Sequence, residues 1–225
     1  MRQAGRGFTL TELMLAIAIT AMTGLAVAGA SHAVLSAYGT SDDHYEQLQI
    51  ARGAMHQSRL ALRKARLVVN GTTTSLIYWA EDANNDGAIN VSELAELAYN
   101  RADREIREYR VVIPDSLSQQ QQDALNVAIA LSSVTGSPGS ASGLIRDSSY
   151  VVWRLVASDV RYVAFGAVPA APLARTVTIR ITVGTGETSL TLRSAVTLRA
   201  DLTGEVGLSQ GQYVLDGETD DFVTP

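Results

Sequence analysis

The chain has 225 residues, 46% of them hydrophobic and 18% charged, which is enough for one domain with its own core and an extension besides. Its net charge of −5 gives no bulk electrostatic case for nucleic-acid binding. The absence of cysteine excludes disulfides and thiolate-held metals while leaving the compartment open.

The first element is apolar. Residues 13–30 carry no charge and are broken only by Thr20, Thr23 and two glycines. At about 1.5 Å per residue this run spans roughly 27 Å as a helix, close to the hydrocarbon thickness of a bilayer. Arg2 and Arg6 precede it, and the positive-inside rule then places the N-terminus in the cytoplasm. Glu12 stands at the entrance to the run, where an unpaired carboxylate is expensive in lipid. A secretory signal cut after Ala30 or Ala33, within "AVAGASHA", is one reading, although Glu12 is foreign to a signal core. A plain single-pass anchor with Glu12 at its edge is another.

"GRGFTLTELMLAIAI" (5–19) closely resembles the leader and first turns of the type IV pilin and type II secretion pseudopilin family. The resemblance covers about 25 residues and implies a short basic leader that prepilin peptidase cuts after Gly7. Phe8 becomes the first mature residue, with an N-methylated amine, and Glu12 stands fifth in the mature chain. It further implies that Glu12 neutralises the Phe8 amine of a neighbouring subunit during assembly, turning two costly charges into one pair that selects register. Other pilin or pseudopilin subunits and the inner membrane are the partners so implied, with a periplasmic or extracellular head and no nucleic acid.

Beyond the membrane segment, Leu48, Ala51, Met55, Ser58, Leu62, Ala65 and Val69 recur at helical steps, and Arg52, Arg59, Arg63, Lys64 and Arg66 fill the rest as a solvated face. One long helix is predicted from Thr9 to about Val69, ended by Asn70-Gly71. The period then changes to two. Strands are predicted at 75–80, 95–100 and 104–112. A helix follows within 114–134, capped by Ser116 or Ser118, and "TGSPGSASG" (135–143) is predicted as a flexible loop. Three more strands are predicted at 149–157, 174–183 and 188–200, with "GTGE" (184–187) as a hairpin turn between the last two. The class is α+β, a long N-terminal helix packed on a C-terminal antiparallel sheet. Trp79 and Trp153 are expected in the core.

The resulting division is a leader over 1–7, a transmembrane and assembly segment over 8–34, an amphipathic continuation over 35–70, a head over 71–200, and a tail over 201–225. No basic residue follows Arg199, but Asp201, Glu205, Asp216, Glu218, Asp220 and Asp221 do, so the tail is expected to be acidic and solvated. The helix-then-sheet order also resembles the family's head. "VRYVAF" (160–165) and "LTLRSAVTLRADL" (190–202) resemble the J-type minor pseudopilins and larger-headed minor pilins, which implies a minor subunit.

"DANNDGAINVSE" (82–93) is similar to the twelve-position calcium loop of EF-hand proteins. Asp82, Asn84 and Asp86 fall at positions 1, 3 and 5, with Gly87 at the sharp turn. Ala88 offers its carbonyl at 7, Asn90 reaches the ion through water at 9, and Glu93 is the bidentate acid at 12. The flanks depart from that family, because "LIYWA" before the loop reads as strand and the stretch after it is short. The alternatives are a calcium site grafted between strands, ordering a disulfide-free domain, and a polar hairpin loop. No nucleophile–base pairing, P-loop or dinucleotide fingerprint occurs, and the chain is not expected to be an enzyme. The two functional readings are therefore a minor pilin or pseudopilin, and a secreted or anchored calcium-binding module with an ordinary signal.

Overall fold

The structure is a computed structural model that describes residues 9–184, 189–198, 203–216, 218 and 223. It divides into two units, Met1–Glu46 and Gln47–Pro225, and helix α1 (Leu10–Arg63) runs through both.

Within the first unit α1 exposes large apolar side chains all round, including Leu13, Leu15, Ile17, Ile19, Leu25 and Val27. Its most apolar window has a mean hydropathy of 2.1, which makes it long and apolar enough to cross a membrane. The two threonines of the run are satisfied inside the helix. Thr20 Oγ1 donates to the Ala16 carbonyl at 2.7 Å and Thr23 Oγ1 to the Ile19 carbonyl at 3.0 Å. Neither hydroxyl then needs water.

In the second unit the expected stripe is present: Ala51, Met55, Ser58 and Leu62 are all buried. The helix ends at Arg63, however, six residues short of Val69. Leu67–Gly71 is strand β1, paired antiparallel with β2 (Ser75–Trp79). Leu67, Val68 and Val69 are buried, and their branched and apolar side chains fit a strand covered on both faces. Asn70-Gly71 therefore closes a strand rather than a helix. Thr72 N–H then donates to the Ser75 carbonyl at 2.7 Å to form the hairpin turn.

After β3 (Ile89–Asn90) and one 3₁₀ turn (Val91–Glu93), β4 (Leu94–Asn100) and β5 (Glu105–Val111) follow. With β7 (Val151–Ala157) they complete a five-stranded antiparallel sheet in the order β1-β2-β4-β5-β7. Its two faces serve two cores. Val68, Leu76, Tyr78, Ala95 and Leu97 pack with α1 and the second sheet. Leu67, Val69, Ile77, Trp79 and Leu94 pack on the other side. Trp79 is in the core as expected. Trp153 is not: it is 54% exposed on edge strand β7, with the Arg107 guanidinium 4.5 Å from its ring centre.

The region 114–134 contains α2 (Gln119–Leu125), β6 (Ala128–Ile129) and the start of α3 (Leu131–Thr135). Ser118 is the α2 cap, accepting from Gln121 N–H at 3.4 Å. The expected flexible loop at 135–143 is largely helical, because α4 spans Pro138–Arg146. Pro138 starts the helix, where its missing N–H is harmless, and Ala141 and Ile145, four apart, enter the core. The glycine and serine content hid that spacing.

The second sheet is β8 (Val160–Val168), β9 (Thr176–Val183) and β10 (Leu190–Thr197), in the order β10-β9-β8. β8 is not among the predicted strands. The predicted turn 184–187 falls mostly outside the described residues. The tail is not simply solvated: β11 (Val206–Ser209) and β12 (Gln212–Leu215) form a hairpin, and Val206 and Leu215 lie in the core. Gln210 and Gly211, at φ 50° and 80°, make the tight turn between them.

Candidate functional site

Gly7 and Phe8 lie outside the described residues; Glu12 lies within them. Thr9 and Glu12 form a capping box at the start of α1. Glu12 Oε2 accepts from Thr9 N–H at 2.9 Å and from Thr9 Oγ1 at 3.0 Å, and Glu12 N–H donates to Thr9 Oγ1 at 3.3 Å. The carboxylate is therefore held at the positive end of the helix dipole. Its partners are neutral donors of its own chain and are exposed, so a cation can take their place.

In the loop 82–93, Gly87 takes φ +76° at the sharp turn and Asn85 takes φ 59°. Asp82 Oδ1 accepts from Asp86 N–H at 3.1 Å, and Asp82 Oδ2 accepts from Gly87 N–H at 3.3 Å. Asp86 accepts from Ala88 N–H at 2.8 Å and from the Asn84 amide at 2.6 Å. The Ala88 N–H, helped by the Asn90 and Asn84 amides, outweighs desolvation and holds the Asp86 carboxyl below the usual range. Asn90 also reaches Asp86, at 3.2 Å. Glu93 is only 2% exposed. It accepts from Ala83 N–H at 2.7 Å, Trp79 Nε1 at 3.0 Å and Asn90 N–H at 3.3 Å.

The donor set is all oxygen, the chemistry of a hard cation. The geometry is closed by the protein's own donors. Arg66 contacts Asp82 at 2.5 Å while stacking over Trp79 at 4.5 Å. Among the described residues, no three acid or histidine side chains are drawn together as a metal group. A cation entering the loop must compete with Arg66 for Asp82 and with Trp79 for Glu93.

Two buried carboxylates on the sheet went unremarked in the sequence. Glu96 on β4 takes two bonds from Arg146 of α4, at 2.7 and 2.9 Å, and one from Ser142 at 2.9 Å. Glu108 on β5 accepts from Tyr78 Oη at 2.6 Å and from Arg110 and Arg154. Glu96 is the one charged residue of β4, and that mismatch was the available signal; β5 carries Glu105, Arg107 and Arg110 as well, so nothing set Glu108 apart. The partners of both acids lie up to 50 residues away and could not be paired by spacing.

Residues 2–28 match the family model described as the prokaryotic N-terminal methylation motif. The match contains Gly7, Phe8 and Glu12 and supports a pilin-like or pseudopilin-like protein processed by prepilin peptidase. A comparison with curated proteins found no match.

Proposed function

We propose that the chain is a minor pilin or pseudopilin, a structural subunit of a type IV pilus or a type II secretion pseudopilus. The observation that carries this reading is the methylation motif over 2–28, continuous with an apolar helix long enough to span a bilayer. Prepilin peptidase cuts between Gly7 and Phe8. The apolar part of α1 holds the subunit in the inner membrane with its N-terminus cytoplasmic, until Glu12 exchanges Thr9 for the Phe8 amine of a neighbour. The work is assembly rather than catalysis. Intact-mass and N-terminal peptide analysis of the protein from its host's membranes tests this. A mature chain beginning at Phe8 is expected; one beginning at Ser31 or Val34 would overturn the reading in favour of the secreted calcium-binding module.

The proposal includes calcium at the loop 82–93, through Asp82, Asn84, Asp86, the Ala88 carbonyl, Asn90 and Glu93. The order of oxygen donors and the positive φ of Gly87 support it. With the ion about tenfold above its Kd, stabilisation is about 1.4 kcal/mol. For a domain of this size that is a rise of about 3–6 °C in melting temperature. Equal melting temperatures in chelator and in about 1 mM calcium would remove the loop as a site.

A further inference from the structure

The outward face of β8-β9-β10 bears a groove of about 480 Å³. Its floor is low because β8 presents Ala164 and Gly166 there. A Cβ on Gly166 would come within 2.7 Å of Thr178 Oγ1, so the trough depends on glycine at that place. The neighbouring walls are Thr178, Arg180 and Arg193. Phe165 and Ile179, from the same strands, turn inward to the core.

Arg180 and Arg193 stand directly opposite each other in the β9–β10 register. Like charges in that relation are unfavourable, with Cβ atoms about 4.5–5.5 Å apart. Arg180 leans toward β8, its guanidinium 5.2 Å from the Tyr162 ring centre and donating to Tyr162 Oη at 3.3 Å. Arg193 is exposed on the other wall. Among the described residues neither arginine is in an ion pair, in contrast to Arg66, Arg107, Arg110, Arg146 and Arg154. Strand alternation places Tyr162, Thr176, Thr178, Thr182, Thr191 and Thr197 on the same face, without an acid among them. In a chain of net charge −5, two guanidiniums thus stand over the trough with no carboxylate partner among the described residues.

We propose that this groove binds an acidic peptide segment of a partner protein, with Arg180 and Arg193 each taking a carboxylate. Charge complementarity selects the occupant. The volume argues for a segment over a lone anion, since a single water claims only about 30 Å³ of liquid. Successive side chains on one face of an extended peptide recur at roughly 6.6 Å, within reach of two long arginines splayed from opposed positions. Tyr162 holds Arg180 in place and lowers the ordering cost of the contact. The inference does not depend on the filament reading, because the groove belongs to the sheet alone.

The test is calorimetric titration of the detergent-solubilised full chain with a hexaglutamate peptide, with hexaglutamine and inorganic phosphate as comparison probes. Hexaglutamate is expected to bind, more weakly as salt rises, and hexaglutamine not at all. Arg180→Gln and Arg193→Gln should each weaken binding about tenfold. Arg161→Gln, outside the groove, should change it less than about twofold. Without peptide, Arg193→Gln should melt no lower than the parent protein, since a like-charge contact is relieved. Absence of hexaglutamate binding, equal loss in Arg161→Gln, binding unaffected by both groove variants, or binding of phosphate alone would each overturn the assignment.

Discussion

Glu12→Gln is expected to remove the subunit from filaments, lowering filament-associated protein at least about tenfold at unchanged membrane levels. The substitution separates two roles that Glu12→Ala would merge. In the structure Glu12 closes a capping box with Thr9, accepting at 2.9 and 3.0 Å. A glutamine oxygen can accept the same bonds, so the first turn of α1 survives. Glutamine cannot neutralise an ammonium. In the assembled state the Phe8 amine of a neighbour would be left without its counter-charge in a medium that does not tolerate it. Loss of assembly with an unchanged melting temperature for the unit from Gln47 onward would assign the residue to intersubunit pairing. Wild-type incorporation of Glu12→Gln, together with failure of Glu12→Ala, would reduce Glu12 to a helix cap.

What the sequence made readable followed from strong local patterns. The apolar run of α1 has a single interpretation as a helix, and the stripe through Ala51, Met55 and Leu62 gave its buried side. Strands β2, β4, β5, β7 and β9 were placed within about two residues, the usual fraying of such boundaries. The misses have physical causes. Residues 67–69 are covered on both faces, so their apolar run lacks the alternation of a half-buried strand and merges with the helix before it. In 135–143 the composition argued for a flexible loop, while two apolar side chains four apart, Ala141 and Ile145, were enough to dock the nine-residue helix α4. The acidic tail hid a hairpin whose Val206 and Leu215 join the core, because charge count says nothing about the few apolar positions between the charges. The loop 82–93 was legible as a donor series. That Arg66 would lie on Asp82 and Trp79 on Glu93 was not, since those contacts depend on β1 and β2 being neighbours.

Glu108→Ala is expected to destabilise the second unit by about 2–4 kcal/mol, a fall of roughly 6–12 °C in melting temperature. The carboxylate side chain is 3% exposed and serves three donors: Tyr78 Oη, Arg110 and Arg154. Truncation orphans the Tyr78 hydroxyl, which is fully buried, and removes the counter-charge of two arginines. Those arginines are 32% and 58% exposed and can turn partly to water, which places the expected loss below that of a fully enclosed triad. Tyr78→Phe leaves both arginines on Glu108 and should lose less, about 1 kcal/mol. Glu81→Ala, at a side chain 71% exposed, should lose under about 0.5 kcal/mol. Burial by itself would raise the Glu108 pKa, but Tyr78, Arg154 and Arg110 outweigh it and hold it below the usual glutamate value of 4.5. The stabilisation is therefore present in full above that value and is lost as pH falls through the depressed folded-state pKa. Below pH 4.5 the melting temperature of Glu108→Ala should fall less steeply than that of the parent, and the two curves should converge in acid. Parallel curves over that range would show that the network's energy does not reside in the charge of Glu108.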